Sequence, residues 1–353
     1  MENPSNYNRR QFLGTAAMTT LAAQFIGIDL ISAREIEQSA SKVLVNQSTI
    51  AAFEEIKQIN AGVLDIGYAE LGPADGKPVI LLHGWPYSIY SYRDSAQLLA
   101  LQGYRVLVPH LRGHGSTTFL SKQTPRNGQQ AAIAADILAF MDALKIGKAI
   151  IGGYDWGARA ANTIAALWPE RCIAMVSVSG YLIGNQEVNK KPLAPKDELS
   201  WWYQFYFATE RGRVGYEQNR LAFARLIWNS ASPKWHFSEE HFERTASVLN
   251  NADHVDIVIS NYRWRLGLEK GEPTYNKYEE ILAKFPVITV PTVTLEGDAN
   301  GAPHKQPADY ASKFKGKYMH RNLLGGIGHN PPEEAPGAFA AAIIEADTLA
   351  GKA

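Results

Sequence analysis

Lys148-Ala149-Ile150-Ile151-Gly152-Gly153-Tyr154-Asp155-Trp156-Gly157 opens as an apolar run and ends in a turn built on small residues. An apolar stretch of this length, without polar alternation, reads as a strand buried on both faces. Ala158 to Trp168, directly after it, reads as a helix. Glycines on either side of Asp155 permit a sharp strand-to-helix turn that holds the apex side chain out in strained geometry. Asp is also a common helix N-cap, so this turn alone does not make Asp155 reactive. The surrounding chain has to decide.

Working outward, the same rhythm repeats. Phe53 to Gly72 reads as two short strands around Asn60-Ala61-Gly62, a hairpin signal. Lys77 to Leu82, Arg105 to Val108 and Ile173 to Val178 are further buried-strand runs, and Gln129 to Leu144 carries apolar residues at helical spacing. Strand character returns at Val290 to Leu295 and Met319 to Leu324. This alternation predicts an α/β fold with a mostly parallel sheet and helices on both faces. From about Leu182 to Phe285 no buried strand is legible, only helical stretches crowded with aromatics, which predicts an inserted helical cap. The expected organisation is a core of residues 41–181 and 286–353, with a cap at 182–285.

Residues 1–40 read differently. Asn8-Arg9-Arg10-Gln11-Phe12-Leu13 precedes a weakly apolar stretch from Gly14 to Ile31. Paired arginines before such a stretch resemble a twin-arginine export signal, which implies export to the periplasm or beyond. No other apolar run is long enough to span a bilayer.

Composition narrows the partners. The 353 residues carry 35 Lys+Arg and 35 Asp+Glu, so there is no net charge with which to hold a nucleic acid. The single cysteine, Cys172, excludes an internal disulfide framework and a cysteine-rich metal site. No H-E-x-x-H or clustered ligand spacing is present, so neither a metal nor an organic cofactor is expected. The expected partner is a small, uncharged organic molecule.

Three more motifs sit at strand ends. His83-Gly84-Trp85-Pro86 closes one strand, Gly297-Asp298 closes another, and Gly328-His329-Asn330-Pro331 follows the last. Asp155, Asp298 and His329 thus run in the order nucleophile, acid, histidine, and from about residue 50 onward the chain resembles the α/β-hydrolase fold. Two departures stand out. His110 occupies a position where that resemblance implies Asp. The acid, in the usual G-x-x-D pattern counted from Gly297, would fall on Asn300, while the carboxylate is Asp298. Asp298 is assigned, with an acid from another strand end as the alternative.

An aspartate nucleophile in this fold implies attack on an sp3 carbon, an ester intermediate, and hydrolysis by histidine-activated water. The backbone N–H groups of Trp85 and Trp156 would hold the oxyanion of the second step. Epoxide hydrolases and haloalkane or haloacid dehalogenases share this chemistry. An epoxide oxygen needs an acid as it leaves, and paired phenols can supply it. Tyr203, in Trp202-Tyr203-Gln204-Phe205-Tyr206-Phe207, and Tyr262, in Asn261-Tyr262-Arg263, resemble the two cap tyrosines of epoxide hydrolases, with Tyr206 the rival for the first. The plainer alternative is that these rings are cap packing. A reading from a different class, a non-catalytic binder on a hydrolase scaffold, is disfavoured by the intact pair Asp155 and His329.

Overall fold

The computed structural model describes Phe53 and residues 55–351. The twin-arginine segment lies outside the described residues.

Among the described residues nine strands form one sheet: β1 (Lys57–Ala61), β2 (Leu64–Leu71), β3 (Lys77–Leu82), β4 (Tyr104–Pro109), β5 (Thr118–Phe119), β6 (Ala149–Gly153), β7 (Cys172–Val178), β8 (Thr292–Gly297) and β9 (Tyr318–Leu323). Their spatial order is β1-β2-β4-β3-β6-β7-β8-β9, with β5 beside β2. β1 and β2 form the antiparallel hairpin, turning at Gly62 with φ +58°. The run β4-β3-β6-β7-β8-β9 is parallel, while β2 pairs antiparallel with β4 and β5.

The apolar runs are continuous because each strand is covered on both sides. Along β3, Val79 and Leu81 face one core cluster and Ile80 and Leu82 the other, all fully buried. Such alternation is the period-two consequence of a pleated strand between two helical layers. Helices α1 (Arg93–Leu101), α2 (Gln130–Ala143) and α3 (Trp156–Leu167) follow β3, β5 and β6. α3 begins at Trp156, two residues earlier than its apolar spacing suggests, because the chain enters the helix directly from the Asp155 turn.

Between β7 and β8 the described chain is helical: α4 (Gln186–Asn189), α5 (Pro195–Ser200), α6 (Trp202–Phe207), α7 (Glu210–Ala231), α8 (Glu239–Ser247), α9 (His254–Arg265) and α10 (Asn276–Leu282), with short 3-10 turns. After β8 come α11 (Pro307–Tyr310), α12 (Pro331–Glu334) and α13 (Pro336–Gly351). No described helix is long and apolar enough to cross a membrane.

The sheet order places the site. β3 has β4 on one side and β6 on the other, so successive crossovers leave it in opposite directions. Loops from such a switch point separate and open a crevice at the carboxyl ends of the strands. His83 to Trp85 leave β3 there, and Asp155 leaves the end of β6.

Candidate active site

Asp155 sits at φ +50°, ψ −119°, a region that L side chains rarely adopt. Its neighbours make that turn possible. A Cβ on Gly157 would lie 1.8 Å from the Leu82 carbonyl oxygen, and one on Gly153 would lie 2.4 Å from the Gly157 backbone. Any larger residue at either position would force helix and strand apart. Although Asp155 occupies the N-cap position, its side chain makes no capping bond. The carboxylate points instead to the crevice, where the Trp85 N–H donates to Oδ1 at 2.8 Å. Gly84 is required alongside, since a Cβ there would meet Asp155 Cβ at 2.5 Å.

Burial alone would push the Asp155 carboxyl up. His329, together with the backbone N–H groups of Trp85 and Trp156, more than offsets this and holds it below the usual carboxylate range. His329 Nε2 stands 3.7 Å from Asp155 Oδ2. With Oδ1 held by the Trp85 N–H, Oδ2 is the oxygen left free to attack.

The histidine loop is held from below by Glu334, which accepts from the N–H groups of Gly328 and Asn330 and from Ser232 Oγ. Ser232 Oγ in turn accepts from the His329 N–H at 2.9 Å. This grip is made by the folded loop and is not legible in the sequence.

Asp298 is not where the sequence reading puts it. Its carboxylate accepts from the N–H groups of Gly325, Gly326 and Ile327 at 2.8–3.1 Å and stays at the exposed surface. The Gly325-Gly326 turn, with φ of +108° and +89°, presents three converging donors that absorb the charge. Facing His329 instead is Asn300, whose Oδ1 lies 3.2 Å from Nδ1. The Ala302 N–H also donates to Oδ1, and Asn300 Nδ2 donates to Glu296 Oε1 at 2.7 Å, so the amide orientation is fixed from both ends. His329 Nδ1 must therefore be the donor, leaving Nε2 as the base. Glu296, buried at the end of β8, is a carboxylate one amide removed from the histidine.

Tyr203 on α6 and Tyr262 on α9 meet edge to face, 5.4 Å between centroids. Trp85 lies 5.5 Å from the first ring and 5.2 Å from the second. Burial raises the pKa of both phenols, and the Asp155 charge adds to this against the opposing charge of Arg265, so both stay protonated. Tyr206 is directed elsewhere: a Cβ on Gly215 would lie 1.9 Å from its hydroxyl. The helix phase thus separates the two tyrosines of α6.

Behind the oxyanion loop four buried histidines pack together, with His83–His114 and His114–His254 centroids each 4.8 Å apart. His83 Nδ1 donates to the Gly84 carbonyl and Nε2 accepts from the Leu111 N–H, which fixes a neutral ring under the loop. Trp85 Nε1 donates to Tyr216 OH, which donates to His254 Nε2, tying loop to cap. His110 packs against Gly115 and is structural: a Cβ on Gly115 would sit 2.5 Å from its ring.

Two arginines that sequence reading passed over border the same space: Arg159, one turn beyond Asp155, and Arg265 at the end of α9. The signal for Arg159 was its place in the first turn of the helix that follows Asp155.

Residues 77–321 match the alpha/beta hydrolase fold family. The chain is 33% identical to epoxide hydrolase B of Mycobacterium tuberculosis over 151 residues, which cover 39% of this chain and 42% of that protein. It is 34% identical to an epoxide hydrolase of Caballeronia sordidicola over 252 residues, covering 66% of this chain and 75% of the relative. With the first curated relatives it thus shares less than half their length. A crystal structure of a candidate epoxide hydrolase from Klebsiella pneumoniae superposes with a TM-score of 0.84 at 61% identity, over 85% of this chain and 99% of that one. Sheet order, the strained aspartate turn and the matched family agree: the chain belongs to the α/β-hydrolase fold family.

Proposed function

We propose that this protein hydrolyses epoxides to diols through an ester formed at Asp155. One observation carries the reading: the elbow carboxylate has His329 on one side, and the Trp85 whose N–H holds it packs against two adjoining phenols. Relatives named epoxide hydrolase support it.

In the first step Asp155 Oδ2 attacks a ring carbon and the carbon–oxygen bond of the epoxide breaks. The departing oxygen takes its proton from Tyr203 or Tyr262, because an alkoxide tethered to the product is too basic to leave bare. In the second, His329 Nε2 removes a proton from water, which attacks the carbonyl carbon of the Asp155 ester. The N–H groups of Trp85 and Trp156 hold the resulting oxyanion. Collapse releases the diol and restores the carboxylate, and the proton held by the His329 imidazolium returns through solvent to the phenolate left by the first step. Asn300 fixes the histidine tautomer, and Glu296 supplies, through Asn300, the negative charge that favours imidazolium.

A second reading has one specific observation behind it. The buried Trp156 indole N–H is directed at the Tyr262 hydroxyl and makes no other hydrogen bond, so a departing halide could compete for it. Single-turnover reactions with styrene oxide and with a bromoalkane separate the two. Diol formation without bromide release supports epoxide opening; bromide release with no diol moves the chain to the dehalogenases.

Export is proposed from Arg9-Arg10 and the apolar stretch that follows. Replacing both arginines by lysine should leave the protein in the cytoplasm, and unchanged periplasmic accumulation would remove the twin-arginine route.

A further inference from the structure

Two guanidinium groups border the site, and neither forms an ion pair among the described residues. Arg159 Nη1 donates to the Leu182 carbonyl, and its Nε is fully buried with no acceptor. The Arg265 guanidinium lies 5.3 Å from the ring centroids of both Trp201 and Tyr262. Two other arginines that are not exposed have carboxylate partners. Buried Arg112 holds both oxygens of Asp136 at 2.6 and 2.8 Å, and Arg263, on the same helix as Arg265, lies 3.6 Å from Glu269.

The two rings stabilise the Arg265 cation in part, but a half-buried cation without a carboxylate is costly, and two that repel one another cost more. Burial first, then the charge of Arg265, pull the pKa of Arg159 down to about 9, while Asp155, Tyr262 and Tyr203 act in the opposite direction. Contacts link Arg265 to Tyr262 at 5.3 Å and Tyr262 to Tyr203 at 5.4 Å, while the buried Arg159 Nε, on the helix that Asp155 starts, is left with no acceptor. Asp155 is the negative charge among these groups, and the ester proposed above neutralises that charge. During the life of the ester, the two arginines would face the pocket with no counter-charge unless the substrate brings one.

We propose that Arg159 and Arg265 form an oxyanion subsite, and that the favoured substrates are epoxides carrying a carboxylate or phosphonate close to the ring. The inference rests on the epoxide-opening reading. It departs from the uncharged substrate suggested by the zero net charge of the chain, because net charge averages over a surface and says nothing of one pocket. Planar guanidinium groups suit both oxyanions.

The test compares substrates of one skeleton: 3-phenyloxirane-2-carboxylate, the matching phosphonate, and the neutral carboxamide. Wild type should favour at least one anion over the amide by roughly 10- to 100-fold in kcat/KM, the worth of one or two charge-assisted hydrogen bonds. Which anion is favoured assigns the oxyanion. Arg265→Gln should erase about tenfold or more of that preference, chiefly through KM, and Arg265→Lys should restore part of it. An amide opened as well as both anions overturns the subsite while leaving epoxide hydrolysis intact. Equal losses for anion and amide in Arg265→Gln also overturn it, since the arginine would then be assisting the phenols. Calorimetry with unreactive 3-phenylpropanoate and its amide reads the subsite without turnover. Tighter binding of the acid, lost in Arg265→Gln, supports the subsite even if no epoxide is opened; equal binding of the two overturns it.

Discussion

Glu296→Gln removes a charge from the far side of Asn300 without touching the reacting atoms. Hydrogen bonds of 2.7 and 3.2 Å join Glu296 to Asn300 and Asn300 to His329. Across them the carboxylate and a protonated imidazole lie about 7 Å apart, where an effective dielectric near 20 gives about 2 kcal/mol of attraction. That attraction exists only once His329 has taken a proton from water, so it acts on ester hydrolysis and not on ester formation. Losing it should slow hydrolysis roughly 30-fold. Rapid-quench mass spectrometry follows both steps in one turnover: the mass of the esterified protein should rise at the wild-type rate and decay slowly. Asn300→Asp placed on Glu296→Gln returns a carboxylate to the histidine and should restore the decay. Ester decay at the wild-type rate in Glu296→Gln would refute the relay and leave Asn300 as an orienting group alone.

Three other outcomes follow from the geometry. Tyr203→Phe and Tyr262→Phe should each slow ester formation from an epoxide about 10²-fold, with a larger but non-additive loss in the double variant, measured in single turnover; undiminished ring opening would remove the phenols from the reaction. Asp298→Asn should lower Tm, because three backbone N–H groups lose a charged acceptor, while ester decay stays at the wild-type rate; a long-lived ester in this variant would return Asp298 to the histidine. Stability should fall as the pH drops from about 6.5 toward 4, because burial holds the pKa of His114 down to about 4 and that of His83 and His254 well below the ordinary value. The unfolded chain binds protons across that window and the native one does not, so His114 alone costs about 2 kcal/mol at pH 5; urea titrations that match at pH 7 and pH 5 would contradict it.

The strands were legible because a parallel sheet between two helical layers leaves no polar face, and β3, β6 and β7 therefore read as unbroken apolar runs. Asp155 was legible because the elbow needs small residues at Gly153 and Gly157, a steric demand written into local spacing. The partner of His329 was not legible. Asp298 and Asn300 lie two residues apart on one loop, and the choice between them depends on donors of the Gly325-Gly326 turn, which only the folded chain brings alongside. Tyr203 and Tyr206 differ by helix phase, which an aromatic-rich stretch does not reveal. Arg159 and Arg265 come from a core helix and a cap helix far apart in sequence, and nothing local links them.

Oxygen-18 tests the nucleophile most directly. If Asp155 forms the ester and water attacks its carbonyl carbon, many turnovers in labelled water should leave heavy oxygen in the peptide that carries Asp155, by digestion and mass spectrometry. In His329→Gln, the same peptide should instead retain the substrate as an ester. Label confined to the diol after many turnovers, with no ester trapped in His329→Gln, would mean that water attacks the epoxide itself and that Asp155 is not the nucleophile.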